Sequence, residues 1–361
     1  MARISRDTKH YELGALIGMQ YIAEKVITWH KSSGRHDLPW QKINDPYLIW
    51  ISEIMLQQTQ VSSVIPYYQR FIKTFPTVEK LAFADHDVVM KHWSGLGYYR
   101  RAKFIMQTAK IIVQQYQSKF PDSVEKLLSL PGIGKSTAGA ICAFAFGGIE
   151  PIMDANVKRV FCRFYGIMEW PGKAQTQKYL WSLAEQNLPS NNIQIYTQAL
   201  MDLGATLCKG SQPVCSQCPL QLKCMSFKSN LCHVIPAKKP KKTLITKQVN
   251  VLIVEANNQI LFQKRSDSSV WEGLWSTPEI QDFSDTKKWI KDVLGLTKFN
   301  VVKQGAHLAI FSHYKLQLNY NHILLTETFS HQQLKDFLWI DRPKIGGEGI
   351  PTPIKKLLQN I

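Results

Sequence analysis

The sequence predicts two domains: an all-α domain over residues 1–228 and a smaller α+β domain over 248–361, joined by a basic linker at 229–247. Three observations carry this reading. Apolar residues recur at three- and four-residue spacing from about Gly18 to Phe227, the repeat of amphipathic helices. Beyond Cys224 that repeat ends, and from Val249 the apolar period is two. Between the two textures, Pro236 to Lys242 (PAKKPKK) has proline and charge but no apolar period, as a linker does.

Taken in order, Met1 to His10 (MARISRDTKH) lacks the charged-then-apolar pattern of a signal segment and is expected to be a ragged, soluble terminus. Asp45-Pro46 reads as a cap followed by proline at the first helical position, and Pro76, Pro121 and Pro131 mark further boundaries. In the second domain Val249 to Glu255 (VNVLIVE), an Asn-Asn turn and Ile260 to Lys264 (ILFQK) form a hairpin signature. His307 to Leu318 and Phe337 to Ile340 are further strand candidates, and Thr352 to Asn360 a closing helix. No internal repeat is visible.

With 45% hydrophobic residues and 10 tryptophans, the composition is that of a globular protein. The net charge of +17, from 44 basic and 27 acidic residues, favours a polyanionic partner, of which nucleic acid is the commonest soluble kind; charge alone does not separate DNA, RNA and anionic lipid. The longest apolar stretch, Ala138 to Ile149, is too short to span a bilayer. No membrane is expected as a partner, and a reducing, cytoplasmic setting is the default. There, clustered cysteines are metal ligands before they are disulfides.

Cys208, Cys215, Cys218 and Cys224 are spaced C-x6-C-x2-C-x5-C. Four thiolates on one short loop can enclose a four-iron cluster. Structural zinc sites usually present two separated C-x2-C knuckles, and this loop has one. The bland alternative is four unligated buried cysteines. Cys142, Cys162 and Cys232 read as core or surface residues. Lys209, Lys223 and Lys228 surround the loop, so a structural cluster presenting a basic surface to phosphates is the simplest role.

Leu130 to Ala140 reads LPGIGKSTAGA. Gly132 and Gly134 make a tight turn into a helix starting near Lys135-Ser136, whose free N–H groups suit a phosphate. A nucleotide-binding P-loop is ruled out, because its first glycine would fall on Ser129. An ordinary helix-start turn remains the competing reading of this segment alone.

Asp154 follows in Met153 to Val160 (MDANVKRV), twenty residues after Gly134. Hairpin, Gly/Pro-rich loop, aspartate and downstream cysteines together resemble the helix-hairpin-helix DNA glycosylase superfamily, and within it the MutY family of adenine glycosylases acting opposite 8-oxoguanine. The resemblance covers essentially the whole chain and implies duplex DNA as partner, a 4Fe-4S cluster and a monomer.

Removing adenine needs a proton for the leaving base and an anion for the cationic sugar left behind. Glu53 lies among Ile49, Trp50 and Leu56 on an apolar helix face, where a carboxyl should stay protonated and act as an acid; a glutamate satisfied by a buried partner is the plain alternative. The surrounding SEIMLQQTQV is similar to the family's catalytic segment. Asp154 is expected to cap a helix over Val157 to Tyr165 and so to favour its ionised form, which suits the anion; standing alone it would be an ordinary N-cap. Asn156 is expected to orient it. The family more often has glycine where this chain has Ala155.

The resemblance assigns Leu38, Pro39 and Trp40, with Arg35 or His36 and with Gln198, to the adenine pocket. Gln58 is the candidate wedge for a flipped base, and Tyr98 in Gly95 to Arg101 (GLGYYRR) a stacking residue whose neighbouring arginines meet phosphates, while Tyr99 is expected to pack in the core. Relatives similar to endonuclease III carry a Schiff-base lysine where this chain has Ser136. Lys135 is then expected to face DNA, strand cleavage to be absent, and Lys158 to allow at most slow trapping. The C-terminal domain resembles a Nudix fold. Gly273 and Glu279 match the start of its catalytic box, but Lys287 to Asp292 (KKWIKD) lacks the box's acids, which excludes a magnesium pyrophosphohydrolase. Phe311, Ser312 and His313 match the loop that approaches 8-oxoguanine. The rivals are an endonuclease III-like glycosylase–lyase for oxidised pyrimidines and a non-enzymatic iron–sulfur DNA-binding protein.

Overall fold

The computed structural model describes residues 20–240, 243–266, 271–326 and 336–361. The opening decapeptide and the last two lysines of PAKKPKK lie outside these residues. The chain divides into two compact units, 1–82 with 104–240, and 83–103 with 241–361. The boundary near 240 falls in the proline-bearing basic stretch. That 83–103 groups with the later residues has no sequence signal, because those contacts join segments far apart in the chain.

In the first unit, α1 (Tyr21–Ser33), α2 (Pro46–Leu56), α3 (Val61–Thr74) and α4 (Val78–Ala82) come before the hairpin. Asp45 caps α2, its side chain accepting from the Tyr47 N–H at 2.8 Å ahead of Pro46. α6 (Arg100–Tyr116) precedes the hairpin, which joins α7 (Val124–Leu128) to α8 (Lys135–Ile141). Gly132 has φ 79°, and a Cβ there would lie 2.8 Å from Phe104 Cβ, so the turn requires glycine twice over. After it run α9 (Ala155–Tyr165), α10 (Ala174–Gln186) and α11 (Ile193–Thr206), packed with α1 around Val157, Phe161, Leu180, Leu183, Leu200 and Leu203, and then the short α12 (Met225–Lys228).

In the second unit, α5 (His86–Trp93) accompanies a seven-stranded sheet. Its strands are β1 (Ile245–Ala256), β2 (Gln259–Lys264), β3 (Trp275–Ser276), β4 (Glu279–Ile280), β5 (Phe299–Ile310), β6 (Tyr314–Leu325) and β7 (Phe337–Asp341). The main path runs β3-β2-β1-β6-β5, with β1 parallel to β6 and its other neighbours antiparallel. Asn257 and Asn258, both at positive φ, make the two-residue turn between β1 and β2 that the sequence indicates. The period of two places Val251 and Ile253 on one face under α14 (Thr352–Gln359), and Leu252 and Val254 on the other under α13 (Thr286–Leu294). The stretch His307 to Leu318 is not one strand. Phe311 to His313 break it into the ends of β5 and β6, where the Phe311 N–H donates to the Tyr314 carbonyl at 2.9 Å.

Candidate active site

One cavity of about 1120 Å³ opens in the first unit. Residues from α2, α8, α9 and α11 and from the loop after α1 line it, among them Glu53, Asp154, Asn156, Arg35, Leu38, Trp40, Gln198, Gln58 and Ser136. Residues as far apart in sequence as Arg35 and Gln198 thus meet at one site.

Glu53 projects from the apolar helix α2, with Ile49, Ile54 and Trp50 buried around it. Burial, and secondly the charge of Asp154, push its carboxyl up to about 8. Asp154 sits differently. As N-cap of α9 it accepts from the Val157 N–H at 2.7 Å, and Asn156 Nδ2 donates to its other oxygen at 3.1 Å. Those bonds act to favour the ionised form, but burial outweighs them and raises its pKa; the sequence expectation counted the cap and not the desolvation. Ala155 opens α9 as an ordinary helical residue, so its replacement of the family's usual glycine needs no special backbone conformation.

Asn156 is itself held. Its Oδ1 accepts from Arg159 Nη2 at 2.8 Å, and Arg159 also donates to the carbonyls of Gly204 and Cys208, both at 2.7 Å. Gly204 lets α11 approach: a Cβ there would meet Asn156 Cβ at 2.6 Å.

The pocket residues converge on a group the sequence reading missed. Asp202, fully buried on α11, accepts from the Arg35 backbone N–H at 2.8 Å, from Arg35 Nε at 2.8 Å and Nη2 at 2.5 Å, and from Gln198 Nε2 at 2.9 Å. His30 Nε2 lies 3.1 Å away. Burial works to raise the Asp202 pKa, yet His30 and Arg35 together hold it below the usual carboxylate value. Only Gln198, four residues away on the same helix, gives a local hint of this hub. Leu38 and Trp40 are buried and line the cavity, as does His36, whose Nε2 donates to the His30 carbonyl at 2.9 Å.

The expected DNA contacts divide. Gln58 is exposed at positive φ just after α2. Lys135 lies over the Trp181 ring and 3.1 Å from Glu185 Oε1 on the exposed surface. Ser136 Oγ accepts from the Met153 N–H at 3.0 Å, tying the hairpin helix to the Asp154 loop rather than reaching outward. Gly134 caps α8 with open space where a Cβ would be, and Lys158 is half-buried on α9. In the second unit Tyr98 is exposed at positive φ, and the Tyr99 hydroxyl accepts from the Gly95 N–H at 3.3 Å. Arg100 is exposed, but Arg101 is buried, lies over Trp93 and Tyr98, and donates to the Gly97 carbonyl; it braces the turn instead of meeting phosphate. Ser312 and His313 are exposed at the β5–β6 turn, with Phe311 stacked on Tyr314 at 4.8 Å. Glu279 is engaged by Arg265.

Cys208, Cys215, Cys218 and Cys224 line one small apolar cavity, together with Cys232. Donors point at the sulfurs: Arg163 Nη1 reaches Cys208 Sγ at 3.4 Å, the Leu220 N–H serves Cys218, and the N–H groups of Phe227 and Ser226 serve Cys224. Burial raises the Cys218 and Cys224 thiols, but these donors and the gathering of four sulfurs at one cavity suit thiolates, the form in which cysteine binds an iron–sulfur cluster, so the residues fit that group. Among the described residues no three His, Cys, Asp or Glu side chains form a group that could hold a single metal ion.

Comparison with known proteins agrees with this geometry. Residues 51–186 match the HhH-GPD superfamily of base excision DNA repair proteins and residues 249–360 match the NUDIX domain. The adenine DNA glycosylase of Buchnera aphidicola subsp. Baizongia pistaciae (strain Bp) is 38% identical over 340 residues, covering 94% of this chain and 96% of that protein. This chain belongs to the adenine DNA glycosylase family. Among solved structures, a thermostable thymine-DNA glycosylase is 26% identical with a TM-score of 0.53, covering 62% of this chain and 99% of its own. Endonuclease III in a non-covalent DNA complex shares the fold at 20% identity and a TM-score of 0.51, over 58% of this chain and 95% of its own. This member of the adenine glycosylase family therefore pairs a helical hairpin domain with a Nudix-like one. Among the described residues no helix is long and apolar enough to cross a membrane.

Proposed function

We propose that the chain excises adenine paired with 8-oxoguanine or guanine in duplex DNA, hydrolysing the N-glycosidic bond without cleaving the strand. The observation that carries this is the unequal pair in the cavity: Glu53, half-buried on the apolar face of α2 with its carboxyl pushed up to about 8, and Asp154, tied down by the α9 N-terminus and Asn156. Glu53 gives its proton to a ring nitrogen of the flipped adenine, which makes the base a leaving group. Asp154 then stabilises the cationic sugar, by charge or through a covalent bond that water reopens. Arg35, Leu38, Trp40 and Gln198 hold the base, with Arg35 and Gln198 set by Asp202.

Gln58 is the wedge for the gap left by the flipped base, Tyr98 is a stacking residue, and Gly132, Gly134, Lys135 and Lys158 lie along the DNA backbone. Phe311, Ser312 and His313 read the damaged base. The four cysteines carry a 4Fe-4S cluster, which supplies rigidity to the basic loop next to DNA. The enzyme acts as a monomer on chromosomal DNA in the cytoplasm. A lyase of the endonuclease III kind is disfavoured, because the hairpin position holds Ser136, whose hydroxyl is already bonded to the Met153 N–H.

The test is single-turnover base release from duplexes carrying adenine opposite 8-oxoguanine, guanine or thymine, beside one with an oxidised pyrimidine. Fast release opposite 8-oxoguanine, slower opposite guanine and negligible opposite thymine is the expected pattern. Activity on the oxidised pyrimidine alone would move the chain to the lyase branch, and tight binding without release would make it a binding protein.

A further inference from the structure

The cysteine cage contains one more sulfur than four-ligand binding uses. Cys232, eight residues past Cys224, lines the same cavity, and Cys215 Sγ lies 3.8 Å from its Sγ. Its other thiol neighbour is Cys224. The residue is not on a loose tail. The Leu231 N–H donates to the Ser226 carbonyl at 2.7 Å, and the Ile235 N–H returns to the Leu231 carbonyl at 2.9 Å. Arg163, itself buried, donates Nε to the Ile235 carbonyl at 2.9 Å, while its Nη1 reaches Cys208 Sγ at 3.4 Å and the Lys209 carbonyl at 2.6 Å. One guanidinium therefore fastens the segment bearing Cys232 to the loop bearing the first of the four cysteines.

We propose that Cys232 is a reserve ligand of the cage, taking over the iron held by Cys215. The inference rests on the reading that the cage holds an iron–sulfur cluster. The exchange breaks one sulfur–iron bond and makes another; the Cys232 thiol proton passes to the departing Cys215 sulfur across their contact, and no electron moves. Cys215 is the ligand that can be replaced, because its sulfur is the one in contact with Cys232, and Arg163 keeps Cys208 in place.

The experiment measures iron, acid-labile sulfide and the visible absorbance of the cluster in the full-length chain and its variants. Cys215→Ala and Cys232→Ala should each keep the wild-type iron content. The double variant should fall below about a tenth of it, and Cys218→Ala, which removes a sulfur that Cys232 does not contact, should fall as far. Cys215→Ala depleted as deeply as the double variant would overturn the proposal, as would a double variant or Cys218→Ala that retains iron. Wild-type protein without iron or sulfide would instead remove the cluster reading beneath it. Should Cys215→Ala fail to fold, chelator-driven iron loss from Cys232→Ala decides: about tenfold faster than wild type is expected, and equal rates overturn the proposal.

Discussion

Glu53→Gln should make this protein inactive and, near neutral pH, more stable. The carboxyl titrates at about 8 instead of 4.5, so the folded chain binds a proton over a range where the unfolded chain has released it. With a raised folded pKa, the associated stability is fully present below 4.5 and is lost as pH rises through about 8. At about 1.4 kcal/mol per pH unit, moving from about pH 5 to pH 7.5 costs the wild type about 3 kcal/mol. The glutamine variant has no such proton to hold and loses none of it. The assay is denaturant unfolding of both proteins across that range, beside kcat/KM against pH, which reports the free enzyme. The rate should fall about tenfold per pH unit above the midpoint near 8. A stability gap between the two proteins that stays constant with pH, together with a rate that is flat through the midpoint, would refute the assignment of Glu53 as the acid.

Four further outcomes are expected. Asp154→Asn removes a charge that helps raise Glu53, so the alkaline limb of any residual rate should move to lower pH than in wild type. Gly204→Ala places a Cβ 2.6 Å from that of Asn156 and should cost about 1–3 kcal/mol in unfolding experiments while slowing base release. Replacing Phe311, Ser312 and His313 together by alanine should equalise release opposite 8-oxoguanine and guanine while leaving the melting temperature within a few degrees; retained discrimination would exclude the turn as the reader. Borohydride in the presence of substrate should trap no covalent complex at the rate of base release, as checked by gel shift.

Much of the fold was legible because its signals are local. The caps at Asp45 and Asp154, the Asn257-Asn258 turn and the change of period at the linker each arise within a few residues, where backbone geometry and side-chain spacing act directly. What stayed hidden depends on long-range approach. Asp202 gathers His30 and Arg35 across 172 and 167 positions, and in its own neighbourhood only Gln198, four residues back on the same helix, hints at this. Arg101 looks like a phosphate contact in GLGYYRR, but burial against Trp93 gives it a structural role. Ser136 stands out in the sequence for the lysine it replaces, whereas its bond to Met153 is a tertiary contact.

The division of labour between the two carboxylates follows from what each is tied to. Both face one cavity, and burial raises both, so desolvation alone does not choose which keeps a proton. The choice comes from donors. Asp154 collects the Val157 N–H and the Asn156 amide, and Asn156 is set by Arg159, which also holds the Gly204 and Cys208 carbonyls. No donor is directed at Glu53 among the described residues, and burial and then the charge of Asp154 raise its carboxyl, which favours a proton there. On the proposed mechanism, a base entering between Arg35, Gln198 and Glu53 would meet the acid at Glu53 and a carboxyl at Asp154 already oriented by its donors. Because Arg159 links Asn156 to the Cys208 loop, the geometry of the anion depends on the cysteine cage as well as on α9. Loss of that cage should therefore disturb Asp154 before it disturbs Glu53, whose environment is set by the apolar face of α2.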